Sequence, residues 1–358
     1  MTIPVETILN VAIIGVGEVA MVTHLPTLML CSHMFKTVAL VDISKDSLAH
    51  CAKKFHVPAT YTDVGEMLEG SPEVDLVIHA VQCLNAGKHV LIEKPMALTK
   101  SGADEIEAAR KKSGKVAFVG YQRRFAGAFL RTKELVEALP KDSINYVRVR
   151  DIIGWNSMVV EQCGAFPGKF TDFPPEAGAE RQALNTQLFN EALGPKAANP
   201  LDKKTWHVLN ALATHDMSVM RELLGMPIKC LAATRNPAGF FTSVIFQYPN
   251  FNAYFEMGVD NVIKFDAEIE IYAQNKHIKL NYDTSPYIKG LPITATVVER
   301  KANGDHSEEL IRPTYEDAYT LEYKALYDAI VNGAEVRNGP LDAKEDLEIF
   351  AMIMDAMI

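Results

Sequence analysis

The sequence predicts an α/β chain: an N-terminal doubly wound parallel sheet, then a C-terminal α+β domain built on a large open, mostly antiparallel sheet. Three observations carry this. At 358 residues the chain exceeds what a single hydrophobic core serves well, so two domains are the default. The first third alternates short β-rich runs with helical stretches, the pattern of a parallel sheet wrapped by helices. Farther on, Phe265, Ala267, Ile269, Ile271 and Ala273 alternate with Lys264, Asp266, Glu268, Glu270 and Tyr272, the period of a half-buried antiparallel strand.

The elements follow in order. Residues 10–15 (NVAIIG) form a continuous apolar run, as a strand buried on both faces should. Helical sequence covers 18–30. Residues 37–42 (TVALVD) are a second strand, and Ser44 caps a helix that runs to Phe55. Thr62 and Asp63 open another helix, and 74–78 (VDLVI) and 88–92 (KHVLI) are strands. Thr99 caps a helix through Lys112, and 116–120 (VAFVG) ends the series. Residues 1–122 are therefore assigned to one domain and 123–358 to the other. The second domain begins with a helix over 126–138 and a strand over 144–153. A loop-rich stretch follows over 155–205, holding Pro167, Pro174, Pro175, Pro195 and Pro200, and is read as a lid or binding loop. Runs 240–248, 252–260 and 291–299 add strands, and helices over 316–331 and 341–357 close the chain. The open sheet face is expected to be too apolar for water and to mate with a twin subunit.

Composition excludes several classes. Thirty-six Lys and Arg against 45 Asp and Glu give a net charge of −9, which argues against nucleic acid or an anionic membrane as partner. No apolar run approaches the roughly 18 residues needed to span a bilayer. The first basic residue is Lys36, so the positive region of a secretory signal is missing and a cytoplasmic location is expected. Cys31, Cys51, Cys83, Cys163 and Cys230 are scattered, form no C-x-x-C pair, and read as reduced, packed thiols. No H-E-x-x-H occurs, His24 and His33 read as surface residues, and no metal is expected.

Chemistry concentrates at two places. Gly15-Val16-Gly17-Glu18-Val19-Ala20 follows the first strand and opens the first helix. Gly15 permits a tight turn, Gly17 lets backbone amides approach a pyrophosphate, and Ala20 keeps helix and strand close. Asp42, at the end of the second strand, suits the ribose hydroxyls and repels a 2′-phosphate, favouring NAD; Ser44 and Lys45 just beyond could serve such a phosphate instead. Glu93-Lys94-Pro95 follows KHVLI at the carboxyl edge of the sheet. A cis Lys94–Pro95 bond would aim the ammonium into the crevice, where it could stabilise developing oxygen charge. Trp155 and Trp206 could be sugar platforms, with core packing preferred for each.

GVGEVA at 15–20, GKHVLIEKPMAL at 87–98, VGYQRRF at 119–125 and DAIVNGAEVRNGPLDAKEDLEI at 328–349 together resemble the glucose–fructose oxidoreductase / inositol dehydrogenase / MocA family. The resemblance implies a Rossmann domain and an NAD(P)-dependent enzyme moving hydride between nicotinamide and a sugar, polyol or related hydroxyl or carbonyl carbon. It implies that Lys94 touches substrate and cofactor and carries Glu93 with it. Arg124, after the last strand of the first domain, could assist substrate or cofactor binding or form a surface salt bridge. The open face of the C-terminal sheet gives the expectation of a homodimer or homotetramer. The family's catalytic histidine lies in a D-x-x-x-H-x-x-D pattern, which matches His215 as general acid/base. Ala211 and Ser218 stand where the two acids are expected. A non-catalytic, dinucleotide-sensing regulator of the same fold is the alternative. Only His79 to Lys88 join VDLVI to KHVLI, the minimum for a parallel crossover. The resemblance implies a longer piece there, leaving two readings: a pared-down cofactor cleft, or residues missing between Ile78 and His79.

Overall fold

The computed structural model describes residues 7–71, 73–78, 81–140, 142–282, 287 and 289–358. The chain divides into two compact units. Unit 1 gathers residues 1–120, 160–192 and 323–343, and unit 2 gathers 121–159, 193–322 and 344–358.

Unit 1 holds a six-stranded, all-parallel sheet. Its elements are β1 (Leu9–Ile14), α1 (Leu25–Leu30), β2 (Phe35–Val41), α2 (Lys45–Phe55), β3 (Ala59–Tyr61), α3 (Val64–Gly70), β4 (Leu76–Ile78), α4 (Gln82–Asn85), β5 (His89–Glu93), α5 (Lys100–Ser113) and β6 (Ala117–Gly120). The sheet order is β3-β2-β1-β4-β5-β6, the doubly wound arrangement with its switch point between β1 and β4. The caps read from sequence are in place. The Ser44 side chain accepts from Ser47 N–H, that of Asp63 from Glu66 N–H, and that of Thr99 from Gly102 N–H. Ala12, Val77 and Val90 on adjacent strands are fully buried, with Met67 and Ile106 packed over them. A π-helical turn, Ala20–His24, leads into α1, and nothing in the periodicity announces it. The short β3 also escapes the sequence, because three residues are too few to show alternation.

The crossover from β4 to β5 is as short as the sequence implies. His79 and Ala80 lie outside the described residues; α4 is a single turn, after which β5 enters parallel to β4.

The remaining elements are α6 (Gly127–Glu137), β7 (Ile144–Gly154), α7 (Asn156–Val160), α8 (Ala177–Leu193), α9 (Pro200–Val208), α10 (Thr214–Leu224), β8 (Lys229–Arg235), β9 (Phe241–Gln247), β10 (Asn252–Asp260), β11 (Phe265–Ala273), β12 (Lys276–Asn281), β13 (Thr294–Arg300), β14 (His306–Ile311), α11 (Ala318–Val331) and α12 (Pro340–Asp355). Unit 2 carries an eight-stranded sheet in the order β14-β13-β12-β11-β7-β10-β9-β8, in which only the β7–β10 pair is parallel. One face buries Val147, Val149, Phe255, Ile269, Ile271 and Ile278.

Two expectations need correction. The 155–205 stretch is not mainly loop, since α7, α8 and α9 lie wholly or largely within it. Of α8 only Leu193 is buried, so this helix of good helix formers carries no apolar stripe to reveal it. The other sheet face is not apolar either. Arg148 pairs with Glu268 and Glu270, Arg150 with Glu256 and Asp266, and Lys279 with Glu268, beside Tyr146, Tyr254 and Tyr272. Cross-strand ion pairing satisfies the charges on that side.

Candidate functional site

The glycine-rich turn of unit 1 is fixed from both sides. Gly15 N–H donates to Val41 O at 2.8 Å, and Gly15 has φ +82°, a conformation that favours glycine. Val16 N–H donates to Asp42 Oδ2 at 2.8 Å, and the Ser47 hydroxyl donates to Val16 O at 3.0 Å. A side chain at Gly15 or Gly17 would meet nothing within 4 Å, so open space lies before the turn. Gly17, Glu18 and Val19 are exposed where the helix starts, whereas Val16 and Ala20 are buried. A strand end, bare backbone and a helix amino terminus suit a diphosphate, so the turn fits a dinucleotide. The Val16 amide is engaged by Asp42; the amides that follow it open the helix.

Asp42 is bound on both oxygens, its Oδ1 accepting Ser44 N–H at 2.8 Å. The acid that would face the ribose is therefore held in one orientation by backbone donors from the turn and from α2.

Glu93 ends β5, and the Lys94–Pro95 peptide is cis. Lys94 N–H donates to Glu93 Oε2 at 3.2 Å. Only β4 separates β1 from β5, so the turn and Lys94 leave the same carboxyl edge about 10 Å apart, two strand spacings. His24 connects them: its Nε2 lies 3.1 Å from Glu93 Oε1, and its Nδ1 lies 2.9 Å from the Tyr323 hydroxyl. The surface reading of His24 is thus corrected. It is 2% exposed, because the π-helical turn buries every residue from Ala20 to His24.

In unit 2, His215 is half-buried in the first turn of α10, which continues α9 through a π-helical turn over Leu209–Ala213. Ser218, where the resemblance implies an acid, donates its hydroxyl to His215 O at 3.0 Å, and Ala211 is exposed. The neighbouring Asp216 is fully buried and takes Arg123 Nη1 at 2.6 Å. Arg123 also reaches Asp151 at 3.4 Å and lies over the rings of Tyr282 and Phe265. Burial, with Asp151 alongside, holds the Asp216 carboxyl well above the usual carboxylate range. Arg124 is buried too, paired with Glu222 and set over the Tyr121 ring. Trp206 packs in the core against Phe350, whereas Trp155 is half-exposed with its edge on Phe240.

The contacts found within unit 1 are Val16 with Asp42 and Glu93 with Lys94; His215 and Arg124 belong to unit 2. One residue of the site, His24, has no sequence signal as a functional group. His24 would emerge only from asking what partners a half-buried glutamate before Lys94.

A six-stranded parallel sheet in this order, with an open glycine-rich turn after its first strand, is the architecture of a dinucleotide-binding fold. Residues 9–121 match the model of the oxidoreductase family with an NAD-binding Rossmann fold. Relatives include 1-carboxy-3-chloro-3,4-dihydroxycyclohexa-1,5-diene dehydrogenase of Comamonas testosteroni, 32% identical over 206 residues, which are 54% of this chain and 46% of the relative. Myo-inositol 2-dehydrogenase of Thermotoga maritima is 30% identical over 139 residues, 36% of this chain and 41% of that protein. The chain thus covers less than half the length of these curated relatives. Among solved structures, levoglucosan dehydrogenase in complex with NADH and levoglucosan matches with a TM-score of 0.73 at 16% identity, covering 98% of this chain and 97% of that one. Aldose–aldose oxidoreductase of Caulobacter crescentus matches with a TM-score of 0.71 at 19% identity over 98% of this chain and 97% of that one. These likenesses extend the shared fold over both units.

Proposed function

We propose that the protein is an NAD(P)-dependent oxidoreductase acting on a hydroxyl or carbonyl carbon of a sugar or polyol. The observation that carries this reading is one sheet edge holding both the open Gly15–Gly17 turn and Glu93–Lys94, with His24 between them. The names of the relatives, among them an inositol dehydrogenase and a levoglucosan dehydrogenase, support the substrate class. When bound, the nicotinamide dinucleotide supplies the hydride acceptor or donor. The chain's own residues do the rest. The amides of Gly17, Glu18 and Val19 bind the diphosphate and Asp42 orients the ribose. Lys94 stabilises developing charge on the substrate oxygen, with Glu93 holding its backbone, and passes or takes the hydroxyl proton. His215 is the second proton-handling group, and Arg124, paired with Glu222 of α10, assists binding.

The departure at Ala211 and Ser218 favours a second reading, a regulator that binds the dinucleotide without turning it over. One experiment separates them: titrate the protein with NADH and NADPH, then follow absorbance at 340 nm with a panel of sugars and polyols. Turnover, cut by about 10²- to 10⁴-fold in Lys94→Ala, supports the enzyme. Tight binding without turnover supports the regulator, and absence of binding removes both.

We further propose a cytoplasmic protein that self-associates through the charged face of the eight-stranded sheet. Its half-exposed tyrosines, Tyr254 and Tyr272, and its self-complementary ion ladder support that contact, and no described helix is long and apolar enough to cross a membrane. Light scattering on an Arg148→Glu variant tests it, a smaller particle than the unaltered protein being expected.

A further inference from the structure

Residues 160–192 return to unit 1, and within them Ala165, Phe170 and Asp172 contact α2 and its cap. Lys54 Nζ donates to Ala165 O at 2.6 Å, the rings of His50 and Phe170 stand 5.4 Å apart, and Asp172 reaches the helix amino end. There the Ser44 hydroxyl donates to Asp172 Oδ1 at 2.5 Å, and Asp46 N–H donates to Asp172 Oδ2 at 3.0 Å.

The first turn of a helix offers unpaired N–H groups and a partial positive charge, a ready cradle for an anion. In α2 these donors are already used by the chain itself. Ser44 N–H goes to Asp42, Asp46 N–H to Asp172, and Ser47 N–H to the Ser44 side chain. Two carboxylates, one at the end of β2 and one from a segment 130 positions later, thus meet on a single serine. The Ser44 hydroxyl and the Asp46 amide hold the Asp172 carboxyl below its ordinary range, so it stays charged at neutral pH.

This matters for the ribose end of the cofactor. On a sheet of this order the acid after β2 faces the adenosine ribose, and a 2′-phosphate there needs donors and positive charge nearby. We infer that Asp172 makes the site selective for NAD over NADP, by occupying the amino end of α2 and adding a second negative charge where the 2′-phosphate would lie. This rests on the reading of unit 1 as a nicotinamide dinucleotide site. On this inference the Ser44 hydroxyl serves Asp172 and its own helix rather than a phosphate.

The test measures binding, not turnover. The full-length protein and its Asp172→Asn and Asp172→Arg variants are titrated with NADH and NADPH, following nicotinamide fluorescence, and the ratio of the two Kd values is compared. The unaltered protein favours NADH. Asp172→Asn lowers the NADPH-to-NADH Kd ratio about tenfold, the size expected from removing one screened unit charge beside a phosphate, and Asp172→Arg lowers it further. Partial unfolding weakens both nucleotides together and leaves the ratio in place, so it cannot imitate this result. A ratio unmoved in both variants, or an unaltered protein that binds NADPH as tightly as NADH, overturns the inference while leaving the dinucleotide site intact. Failure of either nucleotide to bind any of the three proteins overturns the site and the inference together.

Discussion

His24 Nε2 lies 3.1 Å from Glu93 Oε1, joining the helix after the glycine-rich turn to the residue before Lys94. Both partners are largely withdrawn from water, and Tyr323 closes the chain of contacts on the other side of the imidazole. The arrangement fixes the strand end from which Lys94 projects. His24→Leu is expected to lower kcat about 10- to 100-fold by letting Lys94 shift, since small misplacements at a reacting centre are costly. His24→Gln, which keeps a donor near Glu93, should recover most of that loss. Equal kcat in His24→Leu and the unaltered protein, with whichever polyol the 340 nm panel identifies, would dismiss this role.

The Arg123 cluster of unit 2 makes a prediction about stability. Arg123 faces Asp216 and Asp151, both fully buried, and burial raises the Asp216 carboxyl toward its neutral form. Removing the cation of a buried ionic group is far worse than neutralising an acid that already favours its proton. Arg123→Met should therefore cost about 3–5 kcal/mol in urea unfolding, and Asp216→Asn about 1 kcal/mol or less. The reverse order of the two losses would show that Asp216 carries its charge.

His89 gives a pH dependence. Val116 N–H donates to its Nδ1 at 3.1 Å, and burial lowers its pKa from 6.5 to about 4, with Lys115 pushing the same way against Asp75. The unfolded chain binds the proton first as pH falls. Stability is thus complete above pH 6.5 and is lost progressively down to about 4. Melting temperatures should fall across that window, and His89→Asn, whose carbonyl can accept the same N–H, should flatten the slope. Identical profiles for the two proteins would refute the assignment.

Thiol chemistry should sort the cysteines. Cys31, Cys51 and Cys83 are buried, and burial pushes the thiols of Cys51 and Cys83 up to about 11. Cys163 is only half-buried. A thiol-disulfide reagent added to native protein should therefore label Cys163 first, and the three buried thiols only after denaturant is added. Rapid native labelling of Cys83, read by peptide mass, would mean that the short β4–β5 connection opens readily.

Much of unit 1 was legible because each element carries its own local signal. An apolar run marks β1, and Ser44, Asp63 and Thr99 mark three helix starts. Gly15, Asp42 and Lys94 could be named for the same reason, since their chemistry depends on their position at strand ends. What escaped depends on distant parts of the chain. His24 is buried by a π-helical turn and by Tyr323, almost 300 residues away, and Asp172 acquires its meaning from Ser44. The helix α8 was hidden because an exposed helix needs no apolar periodicity. The outer face of the eight-stranded sheet was misjudged because the pairing of Arg148 with Glu268 and Glu270 depends on strand register, which spacing does not fix.

The parallel sheet is finished by residues synthesised late. Val119, on the edge strand β6, is gripped on both its N–H and its carbonyl by Asn338, and Tyr323 and Tyr327 pack against Phe35. From residue 120 to residue 338 the ribosome needs roughly 10–45 s at about 5–20 residues per second. Throughout that interval the nascent sheet presents a bare edge to its neighbours, the feature most prone to intermolecular pairing. Production in the cell should therefore lean on chaperones that shield emerging chains, and a premature stop just after β6 should yield inclusion bodies rather than a free-standing nucleotide-binding fragment.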